Sequence, residues 1–267
     1  MKLSVVLTTR NEELNIGPCL ASVRGIADEI IIVDEESTDK TREIAKRLCA
    51  KVYKVKHEPI FHKNKQKALN LATGDWILQL DADERITYKL AAEIKKVIVS
   101  SNNELLKRVI VRPERTEFDS GVEGSESGKL LKLFQRHQQL IEKRDGPVGE
   151  KTGEVVAFFI PRRNYFLGKP LIHAGMYPDP SIRLVKKGKA RFPAKSVHEI
   201  MEVDGEAAWL FNDLEHNDSP TLKRYLERAN RYTDLTSREF KSKSVSLGYL
   251  TLIYYSFVKP LTVFLNL

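Results

Sequence analysis

Gly74-Asp75-Trp76-Ile77-Leu78-Gln79-Leu80-Asp81-Ala82-Asp83-Glu84 reads as a buried strand that ends on two carboxylates one residue apart. Side chains alternate along a strand, so Asp81 and Asp83 are expected on the same side at its end. Two hard oxygen donors on one side suit a divalent cation such as Mg or Mn, which can also hold a diphosphate. Taken alone, Asp-x-Asp is more often a solvated acidic turn. The residues around it decide the reading.

On the N-terminal side, residues 3 to 7 form an apolar run that predicts a buried strand. Residues 12 to 23 follow with helical spacing at Leu14, Ile16, Leu20 and Val23. Residues 29 to 34 predict a second strand, and Ser37-Thr38-Asp39 a helix start before a helix over 41 to 48. Residues 51 to 55 predict a third strand and 65 to 72 a helix closed at Gly74, ahead of the quoted strand. A further helix is predicted over 87 to 99. Strands alternating with helices give a mostly parallel, Rossmann-like sheet flanked by helices, the α/β class. Ligands of such folds sit at the carboxyl ends of the strands. Thr8 to Glu12, Asp34 to Ser37 and Asp81 to Asp83 all fall there.

The chain has 267 residues, 42% of them hydrophobic, enough for a sizeable core. Its net charge of +8, from 44 basic and 36 acidic side chains, points to an anionic partner: a nucleotide diphosphate, a membrane surface or nucleic acid. The two cysteines, Cys19 and Cys49, show no metal-ligand spacing and imply no disulfide scaffold. The N-terminal run lacks a signal-peptide cleavage site, so a cytosolic location is expected.

Residues 101 to 153 form a charged insertion with Gly121, Gly124 and Gly128 among Ser and Glu. Its middle, 113 to 128, is expected to be a mobile loop, and 130 to 141 a short helix. Strands are predicted over 155 to 160 and 181 to 185, and a charged amphipathic helix over 221 to 240. From 245 to 267 the only charged side chain is Lys259, among Tyr249, Tyr254, Tyr255, Phe257 and Phe264. Lys259-Pro260 argues against a simple spanning helix. A segment lying in the membrane interface, with Lys241 and Lys243 upstream, is the favoured reading, and packing on the domain or on a second copy its competitor. The domain reading is 1–225 for the α/β unit and 226–267 for the apolar helical extension.

Neither Gly-x-Gly-x-x-Gly nor Gly-x-x-x-x-Gly-Lys follows the first strand, which disfavours dinucleotide enzymes and P-loop NTPases. Leu3-Ser4-Val5-Val6-Leu7-Thr8-Thr9-Arg10-Asn11-Glu12-Glu13, Ile30-Ile31-Ile32-Val33-Asp34 with Ser37-Thr38-Asp39, and Ala72-Thr73-Gly74-Asp75-Trp76 with Asp81-Ala82-Asp83-Glu84 together resemble a family 2 glycosyltransferase of GT-A fold. Ile160 to Gly168, His173 to Asp179, Arg183-Leu184, Lys189 to Phe192 and Val197-His198-Glu199 resemble the branch of lipopolysaccharide core β-glucosyltransferases. The resemblance implies that Thr8, Arg10 and Glu12 line the nucleotide pocket and that Asp34 and Glu35 meet the base. The family often has Asp-Asp or Asp-Ser followed by Gly there, so Asp34-Glu35-Glu36 is a departure. By the same resemblance, Lys65 and Gln66 help hold the nucleotide, Asp81 reaches ribose or metal, and Asp83 binds the metal.

His198 is a candidate third ligand, with a structural histidine as the alternative; His173 and His216 are weaker candidates. The base that takes the acceptor proton is Asp179 or Glu199, with Asp179 slightly favoured. Arg162, Arg163 and Arg183 are candidate phosphate partners.

The expected activity is transfer of a sugar from a nucleoside-diphosphate donor, a UDP-sugar first, to a hydroxyl of a lipid-linked or cell-envelope glycan. Metal dependence and inversion are implied by the resemblance. The expected partners are donor, glycan or glycolipid acceptor and the cytoplasmic membrane surface, with a homo-oligomer possible and no nucleic acid. A nucleotidyltransferase that makes nucleotide sugars predicts a Gly-rich basic loop after the first strand, which is missing. A basic membrane- or nucleic-acid-binding module predicts clustered cations with interleaved aromatics, whereas the cations here are mixed with acids.

Overall fold

The computed structural model describes residues 1–58, 60, 62–109, 126–173, 175–193, 200–242 and 248–265. The first half alternates as expected: β1 (Leu3–Thr9), α1 (Ile16–Val23), β2 (Glu29–Glu35), α2 (Thr41–Arg47), β3 (Lys51–Val55), α3 (His62–Leu71) and β4 (Trp76–Leu80). Then come β5 (Glu84–Ile86), α4 (Tyr88–Val99), α5 (Asn102–Leu106) and α6 (Glu126–Asp145). The second half holds β6 (Val155–Ile160), β7 (Arg162–Phe166), β8 (Lys169–Pro170), β9 (Ser181–Lys186), β10 (Ala190–Arg191), β11 (Glu202–Val203), β12 (Glu206–Trp209) and β13 (Leu214–Ser219). Helices α7 (Leu222–Ser242) and α8 (Tyr249–Ile253), a π-helical turn (Tyr254–Val258) and α9 (Lys259–Leu265) end the described chain.

Among the described residues, seven strands form the main sheet in the order β12-β6-β9-β4-β1-β2-β3. β1 pairs in parallel with β2 and β4, and β2 with β3. β9 runs antiparallel to both of its neighbours, β4 and β6. Apolar runs without a polar face give strands covered on both sides. Leu3, Val5 and Leu7 pack on one side with Ile16, Leu20 and Ile94, from α1 and α4. Val6 packs on the other with Ala68 of α3, Phe134 of α6 and Trp209. Gly74 precedes β4 where the chain passes Ser4. A Cβ there would lie 2.7 Å from Ser4 Oγ and 2.8 Å from the Lys2 carbonyl, so only glycine fits.

A second sheet, β5-β13-β7-β8, abuts the first. β5 follows β4 and β7 follows β6, so each chain segment leaves one sheet and enters the other at a strand end. β13 pairs antiparallel with β5 and parallel with β7. Polar residues make up most of it, Leu214-Glu215-His216-Asn217-Asp218-Ser219, and its pairing is what makes it a strand.

Several expectations shift. The first helix starts at Ile16, not residue 12, because residues 11 to 13 bond to the loop after β2. Asn11 N donates to Ser37 Oγ at 2.9 Å and Thr38 N to Asn11 Oδ1 at 2.8 Å. Glu13 N donates to Asp39 Oδ2 at 3.1 Å. The expected helix over 130 to 141 lies within α6, which has 20 residues. Of the loop expected over 113 to 128, residues 113 to 125 lie outside the described residues and 126 to 128 belong to α6. α7 runs through the expected boundary at 225. No described helix is long and apolar enough to cross a membrane.

Candidate active site

β4 ends at Leu80, and the next turn sends its two carboxylates to different partners. Asp81 Oδ1 lies 2.6 Å from Lys65 Nζ, and Oδ2 lies 2.7 Å from Arg183 Nη2. Arg183 also reaches Glu84 Oε1 at 2.5 Å and bonds Gln79 Oε1. Burial raises the Asp81 carboxyl, but Arg183 and Lys65 outweigh this and hold it well below the usual carboxylate range. Asp81 is therefore a fixed anion between two cations.

Asp83 turns to β13. Its Oδ1 lies 3.6 Å from His216 Nε2, and its Oδ2 3.8 Å from Arg224 of α7. The pairing of β13 with β7 shifts register between His216 and Ser219. Ligand atoms of Asp83, His216 and Asp218 all lie within 4.8 Å of one another. Two carboxylates and an imidazole suit Mn, and the carboxylates suit Mg. His216 Nδ1 lies 2.7 Å from Asn164 Oδ1, an acceptor, so Nδ1 carries the proton. The lone pair of a neutral His216 then sits on Nε2, facing a carboxylate oxygen. Two acceptors at that distance need a proton or a cation between them, so the donor set fits a divalent ion. Asp218 also pairs with Arg228. Burial raises the Asp83 carboxyl; a proton on His216 Nε2, where no cation stands between the two, would lower it together with Arg224, and on that footing the net shift is down.

The second carboxylate centre is Asp179. Its Oδ2 accepts from Arg162 Nη2 at 2.7 Å and from Asn164 Nδ2 at 2.9 Å. Burial raises its carboxyl, but Arg162 and Asn164 hold it below the ordinary value, so it is ionised at neutral pH. Asp81, Lys65, Asp179, Arg183, His216 and Tyr225 line one cleft of about 1010 Å³. Arg162 and Arg163 part as strand neighbours must: Arg162 joins Asp179, and Arg163 pairs with Asp213.

At the other strand ends, Thr8 Oγ1 is buried with no hydrogen-bond partner among the described residues, and Arg10 is exposed. A buried unpaired hydroxyl at a strand end is suited to a ligand. Burial raises the Glu12 carboxyl, opposed by its bond from Asn15 at 2.7 Å and by Arg224. Asp34 is fully buried, accepting from Thr9 Oγ1 at 3.1 Å and Ser37 N at 3.0 Å, with Arg42 at 3.3 Å. Glu35 is held by His57 Nδ1 at 2.6 Å and Asn64 at 2.9 Å. Gln66 does not join the carboxylates: its Oε1 accepts from Phe192 N at 2.8 Å and its Nε2 bonds Asn70. The two side chains leave α3 about 100° apart around its axis, so they do not point the same way.

His198 and Glu199 lie outside the described residues. His216, set aside as a weak candidate, is the histidine beside Asp83; Asp218, Asn164, Arg224 and Arg228 were not anticipated. The spacing His216-x-Asp218 was the available signal, and it carries weight only once those residues form a strand.

Residues 4–146, more than half of the chain, match the family described as Glycosyl transferase family 2. An uncharacterized glycosyltransferase of Rickettsia typhi is 42% identical over 103 residues, 39% of this chain and 35% of that protein. The lipopolysaccharide core biosynthesis glycosyltransferase LpsC of Rhizobium meliloti is 29% identical over 174 residues, 59% of this chain and 63% of LpsC. The match thus spans about a third of the Rickettsia protein and under two thirds of LpsC. Among solved structures, TarS 1–349 of S. aureus with UDP is 27% identical, covering 40% of this chain and 33% of that one, at a TM-score of 0.34.

Proposed function

The chain belongs to the family 2 glycosyltransferases, and from that premise we propose that it moves a sugar from a nucleoside-diphosphate donor to a hydroxyl of a cell-envelope or lipid-linked glycan. The α/β architecture, with a mostly parallel sheet flanked by helices, is the GT-A type. The observation that carries the proposal is the convergence of Asp83, His216 and Asp218 at the end of β4, beside a cleft that also holds Asp179. UDP is the first nucleotide to test, and the name of LpsC supports an envelope glycan as acceptor.

Asp83, His216 and Asp218 would hold a divalent ion, Mn or Mg. Bound there, the ion would offset charge developing on the departing diphosphate. In this reading Thr8, Arg10 and Glu12 line the nucleotide pocket and the loop carrying Asp34 and Glu35 meets the base; the buried, unpaired Thr8 hydroxyl supports it. Lys65 and Arg183 hold Asp81 in place for ribose. Asp179 takes the proton as the acceptor oxygen bonds to the anomeric carbon and the carbon–oxygen bond to diphosphate breaks. Attack from the face opposite the leaving group inverts that carbon.

We further propose that the C-terminal segment rests on the cytoplasmic face of a membrane. Tyr249 is 88% exposed, Leu250 84% and Phe257 72%, along helices with apolar side chains on all sides. A helix apolar all round needs cover. Aromatic residues with Lys259 among them, over the Tyr255 ring at 4.9 Å, and Lys241 upstream in the sequence suit an anionic lipid surface.

Thermal stabilisation by UDP, GDP, CMP and dTDP, with and without Mn, on the wild type and Asp83→Ala, tests the donor reading. Manganese-dependent stabilisation by one nucleotide, lost in the variant, is expected. No shift with any nucleotide would remove the donor site.

A further inference from the structure

Asn164 of β7 stands between the two carboxylate centres. Its Nδ2 donates to Asp179 Oδ2 at 2.9 Å, and its Oδ1 accepts from His216 Nδ1 at 2.7 Å. The order of these bonds is not free. Asp179 is paired with Arg162 and can only accept, so the amide must present NH2 to it. The amide oxygen is then left for His216, which must put its proton on Nδ1. Nε2 is thereby kept as the lone-pair nitrogen facing Asp83. A flipped amide would set oxygen against carboxylate and NH2 against the imidazole. The position is also fixed from the backbone, since Asn164 and His216 are paired residues of β7 and β13.

We propose that Asn164 is a positioning residue that couples the two halves of the site: the charge on Asp179 orients its amide, and the amide sets the His216 tautomer that accepts the metal. The inference rests on the metal reading given above. It assigns a task to a residue that touches neither the ion nor the reacting atoms. A partner on the far nitrogen of a ligating histidine typically carries ~10- to 100-fold in metal affinity.

The experiment is Mn(II) titration of the full chain in the presence of UDP, for wild type, Asn164→Ala and Asn164→Asp, with circular dichroism confirming each fold. Asn164→Ala removes both bonds, and Mn affinity should fall ~10- to 100-fold. Asn164→Asp still accepts from His216 Nδ1, although its second oxygen meets Asp179 where NH2 stood, so Mn affinity should fall clearly less than in Asn164→Ala. Unchanged affinity in folded Asn164→Ala overturns the proposal. So does an equal loss in both variants, since that would be a packing effect. Wild type that fails to bind Mn with UDP overturns the metal reading and, with it, the coupling to metal. The orienting step is judged separately by nitrogen-15 spectra of metal-free wild type at mildly alkaline pH. A proton on His216 Nδ1 supports it, and a proton on Nε2 overturns it whatever the metal does.

Discussion

Arg183 Nη2 lies 2.7 Å from Asp81 Oδ2, which ties the first carboxylate of the Asp-x-Asp turn to a strand more than a hundred residues further along. Arg183 also holds Glu84, which is fully buried. Removing the cation would leave Asp81 with Lys65 alone and Glu84 with Arg162 at 3.4 Å, so both anions lose a close partner. Arg183→Met should therefore cost about 3–5 kcal/mol in unfolding free energy, as for other broken buried pairs. Urea unfolding measures it, and an unchanged midpoint with an unchanged slope would show that Asp81 and Glu84 find other partners.

Asp179→Asn keeps the side-chain size and removes the base. Transfer to a lipopolysaccharide-type glycolipid acceptor should drop by about 10²- to 10⁴-fold. Stabilisation by nucleotide measured without metal should stay at the wild-type level, while the Mn-dependent part should weaken, because the charge that orients Asn164 is gone. Retained transfer would move the base elsewhere, with Glu199 the next residue to substitute.

Glu29 gives a stability test that is independent of the site. Burial raises its carboxyl, but the Ser4 hydroxyl, the Thr73 amide and hydroxyl, and Lys51 outweigh this and bring it from 4.5 down to about 2. A depressed folded value means that Glu29 stabilises the fold fully above about pH 4.5, and that the contribution is lost as pH falls towards 2. Glu29→Gln should thus be less stable than wild type at neutral pH by about 1–3 kcal/mol. The gap should close as the pH is lowered through that window. A gap that is the same at neutral and acidic pH would rule out this account.

The exposed C-terminal helices should bind vesicles containing phosphatidylglycerol, and bind neutral phosphatidylcholine vesicles less. Leu250→Ser with Phe257→Ser should lower the bound fraction several-fold in co-sedimentation, since each buried apolar side chain contributes roughly 1.5–3 kcal/mol. Binding unaffected by the pair, or a stable dimer in solution lost on the same substitutions, would assign the surface to a second copy of the chain.

The parallel half of the main sheet was legible because β1, β2 and β4 are apolar runs covered on both faces, a signal local to each segment. Asp83 was legible for the same reason, since it follows a strand that announces itself. β13 was not. Its Glu-His-Asn-Asp core has the composition of a loop, and it becomes a strand through β5 and β7, one of them about 130 residues away. His216, Asp218 and Asn164 were hidden with it. The start of α1 was misplaced because Asn11 and Glu13, read as helix, are tied to the next loop instead. Gln66 and Lys65 are neighbours on one helix, yet only Lys65 points at Asp81.

The passage of the chain from one sheet to the other at the ends of β4 and β6 bears on anyone dividing this protein. The stretch that carries the family signature stops at residue 146, while Asn164, Asp179, His216 and Asp218 all come later. A fragment cut there would keep the loops after β1 and β2 and both carboxylates of the Asp-x-Asp turn, with Lys65, but would lose Arg183 beside Asp81 and His216 and Asp218 beside Asp83. Exchanging the first half for that of a relative, as one would swap a cassette, would therefore change the donor only if the incoming turn still meets this chain's β13 in register.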